Sequence, residues 1–202
     1  MFAEKGFRDA TVQDLCAAAK ANVAAVNYYF GSKQNLYLAV WQHLHDTVRK
    51  QYFENIQEIA DPVLRLRETI SQRVRHVFDD GPAGRLRLIT YREMNDPTEV
   101  HGEIRDSFIL PHIDFVTRTV AEILGLSDLD PAARRCAFSV QSQLVALARL
   151  RIKPDQTPIQ RLMGCTTPDT EQIHALIDHL VTFVMGGIRA TATTTEPAGK
   201  PQ

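Results

Sequence analysis

The seven histidines, three cysteines and 24 aspartates and glutamates of this 202-residue chain are the side chains from which a catalytic or metal site would be built. Their spacing builds none within a single element. His43 and His45 are two apart and point to different faces of a helix, while His174 and His179 are five apart, so neither pair has metal-ligand spacing. Cys16, Cys136 and Cys165 lie far from one another with no CxxC pair, which excludes both a disulfide framework and a zinc-finger pattern. GxSxG, HExxH, GxGxxG and P-loop motifs are absent. A set assembled from separate helices, such as Glu93, His101 and His112, stays open, but no enzyme activity, metal or cofactor is assigned. Cys165, in a segment that reads as a loop, is the candidate for a reactive thiol, so a redox sensor is one alternative function. Cys16 lies on an apolar rhythm and reads as packing.

The chemistry that the spacing supports is recognition. Asn22, Val23, Ala24, Ala25 and Asn27 open a short helix whose small side chains permit close approach to another surface. In a DNA major groove Asn27 would hydrogen-bond a base edge, and Val23 with the alanines would meet thymine methyls. Tyr28 and Tyr29 offer hydroxyls to phosphates. Thr11 and Lys33 stand at helix N-termini, where free backbone N–H groups and the helix dipole favour a phosphate. Phe30 reads as core.

The elements that would position these residues follow from caps and periodicity. Thr11, followed by Val12, Leu15, Cys16 and Ala19, predicts a capped helix of about three turns with Asp14 three residues after the cap. Asn22 caps again, and the helix from Val23 to Phe30 is only about 12 Å long at about 1.5 Å per residue. Two short helices joined by a tight turn at Lys20-Ala21 make a helix-turn-helix. Gly31-Ser32 closes the second, and a third helix with Leu36, Val40, Leu44 and Val48 at near-helical spacing runs to about Gln51 as a connector.

Beyond it, Asp61-Pro62 starts a helix with an apolar stripe from Val63 to Phe78, and Asp80 to Gly84 breaks it. Further helices are predicted over Arg85 to Asn95, Thr98 to Leu126 with Pro111 splitting or restarting the segment, Pro131 to Ile152, and a last one carrying Ile173 to Met185. Lys153 to Thr170, with three prolines and a glycine, reads as a loop. No alternating run is long enough for a strand, so the fold class is all-α. The expected domains are residues 1–51 for the helix-turn-helix and connector, 52–190 for a larger helical domain, and 191–202 for a disordered tail.

The bulk numbers fit. A 44% hydrophobic content supports a core, and no leader or membrane span is recognised, so a cytoplasmic protein without a membrane partner is expected. The net charge of -1 is unevenly spread: residues 1–50 carry +2 and the remainder -3, which permits DNA binding at the N-terminus.

Phe2-Ala-Glu-Lys-Gly-Phe7, Thr11 to Ala19, Asn22 to Phe30 ending Asn-Tyr-Tyr-Phe, and Gly31-Ser-Lys-Gln-Asn-Leu-Tyr37 together resemble the DNA-binding domain of the tetracycline-repressor (TetR) family. Tyr91-Arg-Glu-Met94 and Pro97-Thr98 look like a subgroup with its own C-terminal domain type. The chain departs from the family pattern in having Lys20 where glycine is usual at the turn, and in a first helix that begins near its last turn. The latter predicts that the working protein starts upstream of Met1.

The resemblance implies a ligand-responsive regulator of transcription, a repressor released from double-stranded operator DNA by a small-molecule effector. Two heads held one helical turn apart demand a dimer. The helices at about 131–152 and 171–190 are the interface candidates, with Gly186-Gly187 allowing close approach. An effector pocket is expected among the middle helices, with Phe78, Met94, Phe108, Phe115 and Phe138 as apolar lining and Arg92, Glu93, His112 and Gln141 as polar candidates. A helical dimer that binds ligand without binding DNA is the remaining alternative.

Overall fold

The structure, a computed structural model, describes residues 1–150 and 168–195, with side chains for 1–148 and 168–193. The expected loop at 153–170, apart from its last three residues, and Cys165 lie outside the described residues. Helices are the only regular structure among those described: α1 Phe2–Asp9, α2 Val12–Ala19, α3 Val23–Phe30, α4 Lys33–Val48, α5 Pro62–Phe78, α6 Pro82–Asn95, α7 His101–Ile104, α8 Leu110–Leu124, α9 Pro131–Leu150 and α10 Thr170–Thr195. The all-α expectation holds.

Most of these helices begin where a short polar side chain satisfies an otherwise orphaned backbone N–H. Thr11, Asn22 and Ser32 accept from the N–H groups of Asp14, Ala24 and Asn35. Asp61 accepts from Val63 and Leu64, Asp130 from Ala132, and Asp169 and Gln172 cap each other reciprocally at the start of α10.

The chain forms two compact units, and the backbone passes between them three times. The first unit joins Met1–Tyr52 to Asp79–Ile109; the second holds Phe53–Phe78 and the chain from Leu110 onward. Residues 79–109 leave the larger domain because α6 packs against α1 and α4. Two of the crossings coincide with π-turns, Arg49–Phe53 after α4 and Arg105–Ile109 before α8. The second π-turn has a local cause. Pro111, at the second position of α8, cannot donate to the residue four back and its ring would crowd that carbonyl, so a widened turn accommodates it without ending the helix.

α6 starts at Pro82, three residues before the expected Arg85, because proline suits the first helical position and Asp79 accepts from the Gly81 N–H. In the second unit one stripe from each of α5, α8, α9 and α10 meets in a common core that includes Leu66, Val74, Val120, Leu144, Leu180 and Ile188. Met185 and Val184 lie on the same stripe, as the spacing predicts. Thr170–Thr193 is apolar and long enough to cross a membrane by composition alone, yet this stripe is built into a protein core. α10 also runs past the expected start of the disordered tail at 191. Thr191 donates to the Gly187 carbonyl and accepts from Cys136, and Thr193 donates to the Ala190 carbonyl, so the last turn is tied down.

Gly84 lies within α6, where alanine would ordinarily be the better helix former. A Cβ there would stand 2.8 Å from the Asp79 backbone oxygen, which is fixed by the turn that starts the helix. Gly84→Ala is therefore expected to lower stability by about 1–3 kcal/mol, read as a fall of about 3–10 °C in the thermal midpoint by circular dichroism.

Candidate nucleic-acid interface

α3 is the most exposed helix of the first unit. Val23, Ala24, Ala25, Asn27, Tyr28 and Tyr29 are all exposed, Tyr28 at 84% and Tyr29 at 77%, and no residue of the helix is buried. Its sequence, Val-Ala-Ala-Val-Asn-Tyr-Tyr-Phe, contains no carboxylate or cation. A helix that leaves this much apolar and neutral hydrogen-bonding surface in water is a contact surface. The two tyrosine rings meet edge to face at 5.3 Å, which presents both hydroxyls without either ring entering the core. Phe30 and Val26 alone turn partly inward.

The turn that presents α3 is built on Lys20 in the left-handed region, φ 52°, where the family pattern has glycine. Its N–H closes on the Ala17 carbonyl and the Ala21 N–H on that of Cys16, so α2 ends in a tight hydrogen-bonded turn despite the side chain. Cys16 itself is buried at the base of α2, as its rhythm predicts.

Thr11 is exposed, and its oxygen holds the Asp14 N–H. A side-chain hydrogen bond with Thr11, and then Lys5, whose ammonium lies 3.4 Å away, hold the Asp14 carboxyl below its usual range. Lys33 is placed differently from a free phosphate contact. Its ammonium donates to the Arg8 carbonyl at 3.2 Å and rests over the Phe7 ring at 4.5 Å, so it ties the start of α4 to the end of α1.

The head is fastened to α6 by three contacts on one end of that helix, none of them expected from spacing. Glu93 is 1% exposed and accepts from the Tyr37 hydroxyl at 2.9 Å and from the backbone N–H and hydroxyl of Thr98, each at 3.2 Å. Burial and then the Glu93 charge push the Tyr37 phenol far above its usual value, so it remains a neutral donor. Arg92 donates to the Glu4 carbonyl at 2.7 Å and lies across Gly6. Gly6 has φ 83°, a left-handed conformation that favours glycine, and a Cβ there would stand 3.0 Å from the movable end of that guanidinium. Asp96 accepts two bonds from Arg8, at 3.1 and 3.2 Å.

These contacts correct the expected pocket. The nine residues assigned to it divide between the units. Arg92 and Glu93 are occupied by the head, Met94 is 57% exposed, and Phe108 packs on Trp41 and His45 at 4.3 and 4.4 Å. In the second unit, Phe78 and Phe115 pack against the core, His112 meets Arg73, and the Gln141 amide nitrogen is buried without a partner. Phe138 is 72% exposed on α9, outside any interior. Periodicity identified Arg92 and Glu93 as polar residues on a core helix; their partners, Glu4 and Tyr37, lie 88 and 56 residues away, where no local pattern reaches.

Tyr37→Phe removes one charge-assisted bond from a carboxylate that stays buried. The expected loss is about 1.5–3 kcal/mol of stability, with little further loss when Glu93→Gln is added, read from a double-mutant cycle in urea.

Residues 1–40 match the model of the bacterial regulatory proteins of the tetR family, and residues 62–188 match the C-terminal domain of the HTH-type transcriptional dual regulator CecR. Among curated proteins the chain is similar to the HTH-type transcriptional dual regulator CecR of Shigella flexneri, 31% identical over 135 residues, covering 61% of this chain and 60% of that protein. It is also similar to the HTH-type transcriptional repressor NicS of Pseudomonas putida, 30% identical over 71 residues, covering 35% and 34%. The matched segments thus span less than two thirds of either relative. Among solved structures, AibR in complex with isovaleryl coenzyme A and operator DNA has the same fold, with a TM-score of 0.66, 21% identity and 90% of each chain covered. Apo AibR gives a TM-score of 0.62 at 20% identity over the same share of each chain. With a tetR-type head on the first 40 residues and the second match running through most of the remainder, the chain belongs to the TetR-family regulators that carry the CecR C-terminal domain.

Proposed function

We propose that the chain is a ligand-responsive transcriptional regulator that binds operator DNA as a homodimer and is released from it by a small molecule in the cytoplasm. The observation that carries the reading is α3: eight residues, uncharged, unburied, and held by a capped turn. In the major groove Asn27 reads a base edge, and Val23, Ala24 and Ala25 lie against thymine methyls, with Asn22 opening the helix. Thr11, Tyr28 and Tyr29 bind phosphates, while Lys33 acts through the packing of α1 on α4. The relatives named above support the regulator class, one as a dual regulator and one as a repressor.

A second copy of the chain is the partner for α9 and α10. Phe138, Val145 and Phe183 are 72%, 57% and 63% exposed on these helices, and Gly186 and Gly187 have open space above them. Between the helices lies a cavity of about 300 Å³ lined by Cys136, Val140, Phe183, Val184 and Gly187 among others. Aromatic side chains beside a small-residue groove are what a self-complementary interface uses. The effector enters the second unit, where His112, Gln141, Phe78 and Phe115 remain as expected lining. Effector and operator affinities are then linked by one coupling free energy.

The test is fluorescence anisotropy with DNA from upstream of the protein's own gene against scrambled duplex. Saturable, sequence-selective binding at two protomers per site is expected; equal weak binding to both duplexes rejects the reading. Asn27→Ala should reduce the preference for the native fragment by about 5- to 150-fold, the equivalent of one bidentate base contact. Phe183→Glu should raise the dimer dissociation constant by at least about 30-fold in sedimentation velocity, the loss of one interface anchor.

A further inference from the structure

α5 carries four arginines, and the structure treats one of them differently. Arg65 is paired with Glu122, Arg67 with Asp178 at 3.4 Å, and Arg75 is exposed. Arg73 turns inward and has no carboxylate within ion-pair distance among the described residues. The one hydrogen bond recorded for it runs from Nη2 to the His112 Nε2 at 2.5 Å, and its guanidinium lies over the Phe53 ring at 5.3 Å. A guanidinium only donates, so in this contact the His112 Nε2 is the acceptor. It steadies the cation without neutralising it. Phe53 in turn packs edge to face against His76 at 6.2 Å, which places a second ring on that side of the cluster.

The cost of this arrangement is visible in Arg73 itself, whose pKa burial lowers to about 10 with no opposing anion. A buried charge is ordinarily paired, since desolvation is otherwise unopposed. A second, independent group in the same unit has the same deficit: Gln141 on α9 has a buried amide nitrogen with no acceptor. Both unmet needs are for an acceptor. Arg73 nonetheless retains some solvent-accessible surface, so an acceptor can reach it.

We propose that Arg73, held by His112 and Phe53, is the anion-recognition point of the effector site, and that the effector is a small organic acid whose carboxylate or phosphate lies on this guanidinium. The proposal rests on the reading of the chain as a ligand-responsive regulator and names the chemical class of its effector. Arginine presents a planar fork of donors that matches either oxyanion, and an anion arriving there supplies the charge that the fold withholds.

The test compares the full chain with Arg73→Met and Arg73→Lys. Helix content and operator binding are measured first, followed by thermal midpoints without ligand and then with benzoate, benzamide, or inorganic phosphate against chloride at constant ionic strength. Replacing an uncompensated buried charge by an apolar side chain of similar length should raise the ligand-free midpoint of Arg73→Met by about 3–6 °C, where loss of a structural contact would lower it. Benzoate or phosphate should raise the wild-type midpoint by about 5 °C more than that of Arg73→Met, with Arg73→Lys between them and benzamide without effect. The larger of the two anion shifts names the head group. A ligand-free midpoint of Arg73→Met below wild type, equal shifts in wild type and Arg73→Met, or no anion response in wild type would each overturn the proposal. Operator binding by the wild type in those cases leaves the regulator reading intact. Absent operator binding rejects that reading, while the midpoints still decide whether Arg73 receives an anion.

Discussion

A head made of three eight-residue helices has too little apolar surface to hold itself together, and this one leaves a whole helix in water besides. Its first and third helices would drift without an external support. The support is the buried carboxylate of Glu93, whose desolvation is offset by hydrogen bonds from Tyr37 and Thr98, with His101 Nδ1 3.7 Å away. Those bonds fix α4 against α6, and Arg92 and Asp96 extend the fixation to α1. Exposure of α3 and burial of Glu93 are therefore two sides of one constraint. The exposed face of α3 is kept free because its neighbours are over-determined.

Charges are mostly paired in both units, Arg65 and Arg67 of the second included, and Arg73 departs from that pattern. In the first, three cations of the head find acceptors: Lys5 pairs with Asp14, Arg8 with Asp96, and Lys33 with a carbonyl and a ring. In the second, Arg73 is brought inside with only an imidazole and a phenyl ring for company. Fully satisfied polar groups make a rigid part, and an unsatisfied one makes a site for something that arrives later.

Much of the fold was legible because it rests on local signals. Thr11, Asn22, Asp61 and Asp130 each cap a helix in the sequence and in the structure, and the stripes of α5 and α10 face a core as their spacing requires. Where legibility failed, the deciding contact was distant in sequence. Arg92 and Glu93 have the same local appearance as ligand-binding residues, since a polar side chain on an apolar helix face is ambiguous until its partner is known. Phe138 followed the opposite course: an aromatic residue on a core helix suggests lining, but its position one step round from Ala137 turns it to solvent. Arg73 lies in a helix of alternating charge and gave no sign of being the one that turns inward. The start of α6 was missed because Gly84 reads as a breaker, although here glycine is required by the approach of the Asp79 carbonyl.

The π-turn at Arg105–Ile109 has a consequence for how the gene can change length. A π-turn holds one residue beyond the ordinary helical repeat, and loss of a residue from the middle of an α-helix rotates everything beyond it by about 100°. Within α4 or α8 such a deletion would swing the buried stripe out of its core. Inside a π-turn the same deletion converts the widened turn to α geometry and keeps the helix continuous. Arg105–Ile109 runs directly from α7 into α8 where the chain passes from one compact unit to the other, so this is a place where a single codon can be lost while the core of each unit keeps its register.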